Sequence, residues 1–337
     1  MNAPANVQST GPARLVLGVS RAAPAGARIQ RALALSVMIL PFLGTIAALA
    51  IAHRRGVSRL DLGLLVCMYV IQAIGVTIGY HRMFTHRAFT AGRVTQLVLT
   101  WFGATAGQGP ILYWAATHRR HHVYSDREGD PHSPNMQGLG LLNRLRGFWH
   151  GHMGWMLSNE VTSWPHYARD LMRDDFVVLL HELYPLFFFS GMIVPALVGG
   201  LATGSATGAL TGFLWGGLMR MFLGNQATWC VGSLSHMYGS RPFATKDRSR
   251  NNWIVALFTF GEGLQNNHHA FPTSAAHALR WWEPDASELV IRVMQWLGLV
   301  WNIKRPSERA VREARQNGRN PTLGPDGQEI VPILERT

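Results

Sequence analysis

The sequence predicts an all-α integral membrane protein with four transmembrane helices. The 337-residue chain is 47% hydrophobic and only 15% charged, whereas about a quarter of the residues in a soluble domain are charged. Its apolar residues form long blocks, and clusters of histidine follow the ends of these blocks. Each block alone could be a buried core helix of a soluble enzyme, but four blocks with almost no internal charge indicate a membrane protein.

Each predicted span is close to the roughly 20 residues that a helix needs to cross a bilayer. The first two blocks, 32–52 and 60–80, are almost purely apolar. The next two, 176–201 and 208–232, contain glycine, proline or single charges, which membrane helices tolerate when neighbouring groups satisfy the backbone. Segment 95–116 is interrupted by glycine and proline, so we expect it to re-enter the membrane or to lie at its interface.

Basic residues predict the orientation of the chain. The net charge is +12, and the charge lies almost entirely outside the apolar blocks, as the positive-inside rule requires. This rule explains the charge without a nucleic-acid partner. We expect a multi-pass protein of a bacterial inner (cytoplasmic) membrane, with both termini and the polar segments 81–175 and 233–337 in the cytoplasm. The loop 53–59 carries three arginines yet must be external, which opposes this orientation. We retain the orientation because no other arrangement places both histidine-rich segments on the same side of the membrane.

The two ends of the chain are expected to be flexible. Residues 1–30, rich in Ala, Gly and Pro, predict a disordered cytosolic tail, and residues 314–337 predict a flexible C-terminal tail. Residues 31–313 would form the membrane domain. Cys67 and Cys230 lie in apolar blocks without CxxC spacing, which supports neither a disulfide framework nor a zinc ribbon.

Histidines at the cytoplasmic ends of the apolar segments predict a metal centre. On a helix, residues at positions i, i+3 and i+4 share a face, so His118 can align with His121 and His122. Imidazole binds iron, zinc, copper or nickel, and a single zinc takes only three or four ligands, so the full set is sufficient for two metal ions. The candidate ligands are His81, His86, His118, His121, His122, His236, His268 and His269.

Other polar residues near these clusters have weaker predicted roles. Glu262 and Asp130 lie within the histidine motifs, and we expect them to orient histidine N–H groups, with helix capping as the alternative. Lone histidines near the membrane interface, such as His53, His150, His166, His181 and His277, are interpreted as surface or hydrogen-bonding residues.

A family resemblance follows from the order of the motifs. The chain contains, in sequence, HRMFTHR, HRRHHVYSDREGDPHSP, SHMYGSRPF and GEGLQNNHHAFP. Over about residues 35–300 this series resembles the membrane fatty acid desaturases, in particular the acyl-CoA Δ9 (stearoyl-CoA) desaturase branch and its bacterial relatives. The resemblance implies four transmembrane helices below a cytosolic helical cap that holds a histidine-rich diiron site. It implies a reaction of unsaturated fatty acid biosynthesis, in which O2 and two electrons remove two hydrogens and leave a cis double bond, at Δ9 in this branch.

The resemblance also implies how two iron ions (Fe2+/Fe3+) would be shared. The second iron would be held by His121, His236 and His268. The family has a further histidine at the position of Gln265 and an asparagine, acting through water, at the position of Gly232, so both departures fall on the second iron. Glutamine can offer its carbonyl oxygen, and front-end desaturases with a fused cytochrome b5 domain carry glutamine here and are active. The first iron would be held by His81, His86, His118, His122 and His269.

Substrate contacts are predicted from the same resemblance, which implies a fatty acyl-CoA or acyl-lipid chain in a bent tunnel. A bulky residue on the second helix closes the tunnel of the family, and Tyr69, twelve residues before His81, is the candidate; an ordinary lipid-interface tyrosine is the alternative. The basic loop 240–253, with Arg248 and Arg250, would bind the phosphates of coenzyme A or a lipid head group, unless its charge serves only the positive-inside rule.

The reaction requires electrons from outside the chain. The sequence contains no HPGG haem motif, no CxxC rubredoxin knuckle and no GxGxxG flavin motif, so an external ferredoxin, rubredoxin or cytochrome b5, with its reductase, is the expected donor. A diiron membrane hydroxylase of a lipid or hydrocarbon is the nearest alternative function, because the same metal pair can insert oxygen. A metal transporter is disfavoured, because transporters place their polar residues in mid-membrane.

Overall fold

The structure, a computed structural model, describes residues 16–319, 322–323 and 329–330. It is mostly helical, with short strands between the helices. The strands pair antiparallel, β1 (Val19–Arg21) with β3 (Glu160–Thr162), β2 (Thr90–Ala91) with β4 (Val300–Trp301), and β5 (Thr322–Leu323) with β6 (Glu329–Ile330). The helices are α1 (Pro24–Arg55), α2 (Arg59–Ile74), α3 (Arg93–Ala104), α4 (Ile111–Tyr124), α5 (Leu141–His152), α6 (Trp164–Tyr167), α7 (Arg169–Met172), α8 (Asp175–Glu182), α9 (Tyr184–Thr203), α10 (Ala206–Gly212), α11 (Arg220–Gly232), α12 (Leu234–Met237), α13 (Trp253–Phe258), α14 (Gln265–Ala270), α15 (Ala286–Trp296) and α16 (Glu308–Arg319).

Three helices of the described chain are long and apolar enough to cross a membrane. They are α1, α9, and α2 together with the π-helical segment Gly75–Thr85 that continues it. Leu40 and Leu43 of α1 are more than half exposed, as side chains that face lipid would be. These features agree with the predicted all-α membrane fold. The fourth predicted block forms α10, a π-helical segment (Phe213–Met219) and α11, which follow one another without a break.

Proline and glycine divide two of the predicted segments. The third apolar block is split between α8 and α9, because Pro185 stands in the first turn of α9, where proline is favoured and a preceding helix ends. Segment 95–116 forms α3 and α4, joined by a turn in which Gly107 has φ +73°. The backbones of α3 and the π segment after α2 also touch: a Cβ at Gly75 would lie 2.0 Å from the backbone nitrogen of Gly103, so only glycine fits there.

A buried arginine joins the membrane helices. Arg220, at the start of α11, is fully buried. A charge at this depth is tolerated when its donors are satisfied by neighbouring groups. The guanidinium donates to the carbonyl oxygens of Thr105, Gly191 and Gly216 and to the side chain of Gln72. These bonds connect α11 with α2, with the end of α3 and with α9.

The predicted flexible tails overlap ordered structure. Residues 16–30 include β1 and the first turns of α1, and α16 continues past the predicted boundary at 313. β1 pairs with β3, and Pro24 is a favoured first residue of a helix. The predicted flexibility of the two tails stays a prediction. The earlier part of the predicted N-terminal tail lies outside the described residues.

The histidine motifs lie where several helices end beside one another. The π segment after α2 ends at His86, α4 carries the second motif, and α12 and α14 carry the last two. Arg119 of α4 donates to the carbonyl oxygens of Phe84 and Thr85 and to Asp170 of α7. These contacts fix α4 against the end of the π segment, so that the two motifs face one another.

Candidate metal centre

Five histidines from three parts of the chain bring their Nε2 atoms together. His81 and His86 come from the π segment and its end, His118 and His122 from one face of α4, and His268 from α14. We call them the five-histidine group. The Nε2–Nε2 distances are 2.9 Å for His81–His118, 3.0 Å for His86–His118, 3.0 Å for His118–His122, 2.9 Å for His122–His268 and 3.1 Å for His81–His268.

These distances fit the ligand shell of one metal ion. Two nitrogens that are each about 2.1 Å from a metal, at right angles to one another, lie about 3.0 Å apart. A neutral imidazole has one N–H donor and one lone pair, so five converging Nε2 atoms cannot all be satisfied by hydrogen bonds among themselves. The five-histidine group is therefore arranged as a set of metal ligands.

Burial keeps four of these imidazoles neutral. It lowers the pKa of His86, His118, His122 and His268 well below the ordinary value, and the neighbouring histidines lower it further. A coordinating nitrogen must be deprotonated, so the neutral state suits metal binding. His81 additionally contacts Glu262 through Nδ1, as predicted for that carboxylate.

A second set, the three-histidine group, is built differently. His121, His236 and His269 place their ligand nitrogens within 4.8 Å of one another. Because each Nδ1 donates to a carboxylate, each Nε2 keeps its lone pair, and all three Nε2 atoms are buried without a hydrogen-bond partner in the described part of the chain. The Nδ1–carboxylate pairs are His121–Asp130 at 2.9 Å, His236–Asp126 at 2.9 Å and His269–Asp247 at 2.7 Å.

The carboxylates behind this group are held in the ionised form. Asp126 also accepts hydrogen bonds from Ser133 and Asn135. Burial opposes its ionisation, but His236 and these donors outweigh burial and lower the pKa of Asp126 below its ordinary range. Burial also opposes the ionisation of Asp130, but His121 outweighs burial and lowers the pKa of Asp130 to about 2. An ionised carboxylate bonded to Nδ1 fixes the tautomer of the imidazole and makes it a more basic ligand.

The structure exchanges two of the predicted ligands. All eight predicted histidines lie in one group or the other, but His268 belongs to the five-histidine group and His269 to the three-histidine group, which is the reverse of the assignment implied by the resemblance. Successive residues of a helix point about 100° apart, so these neighbours on α14 must serve different groups. Asp247 binds Nδ1 of His269. This bond turns His269 toward the three-histidine group and leaves His268 to the five-histidine group. The predicted assignment of this pair is wrong.

Sequence reasoning missed several residues around the two groups. Asp126 and Asp247 were not matched with histidines, although Asp126 stands four residues before Asp130 in the same motif. His277, interpreted as a surface or hydrogen-bonding residue, is 1% exposed, and its ring centroid lies 4.6 Å from that of His268. No spacing in the sequence connects His277 with the histidine motifs, because it lies in a loop after α14.

Gln265 lies in the region where the resemblance implies a weakened ligand set. It is 3% exposed and stands one turn before His269 on α14. Its Oε1 is buried and has no hydrogen-bond partner among the residues that the structure describes. A buried amide oxygen without a partner is costly, and a cation bound there would remove that cost.

The sequence profile of a known family covers both groups. The family described as "Fatty acid desaturase" matches residues 60–297, a range that contains all eight candidate ligand histidines. The chain belongs to the fatty acid desaturase family. The resemblance predicted from the histidine motifs is confirmed, and with it the enzyme class, an oxidoreductase that desaturates acyl chains. The family acts on acyl-CoA or acyl-lipid substrates with O2 and generally uses a diiron centre.

Several relatives are similar to this desaturase over most of their length. The "Hex-5-enoyl-[acyl-carrier protein] acetylenase" of Moorena producens (strain JHB) is 42% identical over 275 residues, 81% of this chain and 86% of the relative. The "sn-1 stearoyl-lipid 9-desaturase" of Synechocystis sp. is 36% identical over 253 residues, 74% and 73% of the two chains. The "Acyl-CoA C20 Delta5-desaturase" of Anemone leveillei is 35% identical over 246 residues, 72% and 73%. Their names differ in carrier and in the position of attack.

Tyr69 lies in the wall of a small internal cavity of the desaturase. The cavity measures about 20 Å³ and is lined by residues of α2, α11 and α13, and by Glu262. Glu262, which lines this cavity, also contacts His81 of the five-histidine group. The tyrosine hydroxyl donates to the carbonyl oxygen of Phe258 at 2.7 Å, which holds the ring in place. That Tyr69 closes the acyl tunnel stays a prediction.

The basic loop 240–253 closes over the three-histidine group. Asp247 binds His269, and the backbone nitrogen of Arg248 donates to Asp126 at 2.7 Å. The Arg248 side chain is exposed, and Arg250 donates to the carbonyl oxygen of Gly239 at 3.2 Å. The loop therefore supports the metal ligands, and its predicted contact with substrate phosphates stays a prediction.

Proposed function

We propose that this desaturase introduces a cis double bond, at Δ9, into a saturated fatty acyl chain carried by coenzyme A or a lipid. The observation that carries the proposal is the division of eight histidines into two ligand sets at one place in the fold. The names of the stearoyl-lipid 9-desaturase and acyl-CoA desaturase relatives support the substrate class.

We propose iron as the metal of both sets. The five-histidine group would hold one iron, and the three-histidine group, with the carbonyl oxygen of Gln265 as a further donor, would hold the other. Imidazole nitrogen suits iron, and the buried Nε2 and Oε1 atoms described above fit such ligation. When bound, the two irons supply the oxidation of two C–H bonds of the chain by O2.

The side chains of the desaturase would orient the acyl chain and exclude water from the metal ions. An alkyl C–H bond offers no polar group for recognition, so the position of attack depends on how deeply the chain is held. Tyr69 would set this depth at the far end of the cavity, and Arg248 and Arg250 would bind the phosphates of the carrier. Asp126, Asp130 and Asp247 would keep the proton of each imidazole on Nδ1.

We propose a bacterial inner-membrane protein with four spans, the fourth being residues 206–232. The unbroken helical run from α10 to α11 supports the fourth span. The cytosolic cap would contain α4, α12 and α14, with both termini in the cytoplasm. An external ferredoxin, rubredoxin or cytochrome b5, with its reductase, would supply electrons; turnover of the purified protein without any such donor would contradict this.

A second candidate reaction is the removal of two hydrogens from a double bond that is already present. The relative from Moorena producens, 42% identical, is named as an acetylenase of an enoyl group on acyl-carrier protein. The same ligand sets would serve, and the product would contain a triple bond. The substrate supplied to the enzyme distinguishes the two reactions.

The test is expression in a bacterial host that lacks aerobic desaturation, with a suitable electron donor. Total fatty acids are analysed by mass spectrometry that localises each double bond. Purified enzyme is then assayed with saturated and monoenoic chains on coenzyme A, on acyl-carrier protein and in phospholipid. A new cis monoene at Δ9 from a saturated chain is expected.

His269→Ala removes one ligand and should abolish the product, whereas His53→Ala, at the exposed end of α1, should leave it unchanged. A triple bond formed from a monoene would support the acetylenase reaction instead. A hydroxylated chain would support the hydroxylase. No product with any carrier, from well-expressed protein, would overturn the proposed function.

A further inference from the structure

The three-histidine group has room for donors besides its three histidines. Three imidazoles fill half of a six-coordinate shell, and Gln265 would fill one position more. A further nitrogen lies beside the group in His132, in the loop between α4 and α5. Its Nδ1 is buried and has no hydrogen-bond partner within the described residues. A buried polar atom without a partner is costly, and a bound water would remove that cost.

The ring of His132 is fixed against a ligand of the group. It stacks on His121, with ring centroids 4.3 Å apart and an angle of 24° between the planes. Oδ1 of Asp130 accepts from the backbone nitrogen of His132 at 3.0 Å and from Nδ1 of His121 at 2.9 Å. One carboxylate oxygen therefore positions both residues, and the ligand atoms of His121, Asp130 and His132 lie within 4.8 Å of one another.

Gly232 supplies the space for this imidazole. It is the last residue of α11 and stands one helical turn before His236. A Cβ at this position would lie 3.2 Å from Nδ1 of His132, closer than an ordinary contact, and 3.5 Å from its Cε1. Gly232 is not among the glycines with positive φ, so its backbone conformation does not require glycine. A larger residue at position 232 would instead press on the ring of His132.

We infer that His132 is a positioning residue of the three-histidine group, and that its Nδ1 holds a water that bridges to the metal. Direct ligation does not fit, because His132 lies outside the compact set formed by His121, His236 and His269. One water spans about 5 Å, the sum of a hydrogen bond of about 2.9 Å and a metal–oxygen bond of about 2.1 Å. The inference rests on the proposed iron centre.

The experiment uses the full-length desaturase purified in detergent and loaded with 57Fe. Iron per chain is measured by mass spectrometry, and the two sites are resolved by Mössbauer spectroscopy during titration with ferrous iron. His132→Ala should change the signal of one iron only and raise the iron concentration for half-saturation of that site about tenfold, as outer-shell partners of metal ligands do. The control is His181→Ala, a part-buried histidine that packs on Trp164 outside both groups.

Two further variants make the role of His132 specific. Gly232→Ala places a methyl 3.2 Å from Nδ1 and should shift the same iron signal by a smaller amount. The double variant His132→Ala, Gly232→Asn places an amide in the space left by the His132 ring. It should restore in part the iron signal that His132→Ala changes. If His132→Ala does not fold, Gly232→Ala decides the question.

The inference is overturned if His132→Ala, or Gly232→Ala when the first variant is unfolded, leaves both iron signals and both half-saturation points as in the wild type. It is also overturned if His181→Ala changes them equally, because the effect would then be a general loss of packing. A wild-type protein that binds no iron would instead overturn the proposed iron centre, and this result is seen before any variant is compared.

Discussion

The five-histidine group and the three-histidine group present ligands for a metal by different means. In the five-histidine group, four of the imidazoles are kept neutral by burial beside one another, and Nε2 atoms converge at 2.9–3.1 Å. In the three-histidine group, fewer imidazoles converge, but each one donates Nδ1 to an ionised aspartate.

The difference teaches that ligand number and ligand basicity can offset one another. Five donors provide many bonds, whereas three donors backed by carboxylates provide fewer bonds from stronger bases. The departures at Gln265 and Gly232 fall on the side with the carboxylates. A reduced ligand set is therefore compatible with a functional second metal.

The largest expected effect comes from removing the most connected ligand. His118 has three of the five short Nε2 contacts, so His118→Ala should empty the five-histidine group and lower desaturation on the order of a thousandfold, because a catalytic metal supplies several kcal/mol. Product analysis and iron per chain measure this. If the groups are independent, one iron remains. Loss of both irons would show that the two groups form one coupled site, which would contradict the comparison.

The next effect tests whether Asp126 supports the three-histidine group and not the five-histidine group. Asp126→Asn removes the charge bonded to His236 and should weaken iron binding at that site by about 10- to 100-fold, with the other site unchanged. Titration followed by site-resolved Mössbauer spectra gives both affinities. The control, Asp174→Asn, removes an exposed partner of Arg93. An equal loss of iron from both sites would contradict the comparison.

A smaller gain is expected from adding a ligand where donors are few. Gln265→His would replace an amide oxygen by an imidazole and should raise the iron affinity of the three-histidine group by about tenfold, because imidazole is the better iron ligand. Gln265→Leu, of similar size without a donor, should lower it. Equal affinities in all three proteins would show that Gln265 does not face the metal.

The smallest expected effect is on the stability of the fold around α4, the helix that carries histidines of both groups. Burial opposes ionisation of Asp170, but Arg119 and Arg87 outweigh it and lower its pKa to about 2. A depressed pKa stabilises the fold above the unfolded value near 4, and this stability is lost as pH falls toward 2. Asp170→Asn should therefore lower Tm slightly at pH 5–7, and its difference from wild type should vanish at lower pH. A difference that grew on acidification would contradict this reading.

The sequence predicts the membrane helices and the eight histidines, because both depend on local patterns that folding preserves. Long apolar runs require a membrane, and histidines three or four residues apart share a helix face. The assignment of His268 and His269 could not be predicted, because it depends on the rotation of α14 against the loop that carries Asp247. The positions of His132 and His277 depend on how loops fold onto the helices, which no spacing in the sequence records.

The most direct test of the two-group account is a crystal structure of the iron-loaded desaturase with anomalous diffraction at the iron edge. The account predicts two iron peaks. One should be bonded to Nε2 of His268 with the other four members of its group, and the other to Nε2 of His269 with His121 and His236. A single iron peak, or His268 and His269 exchanged between the two irons, would contradict the account.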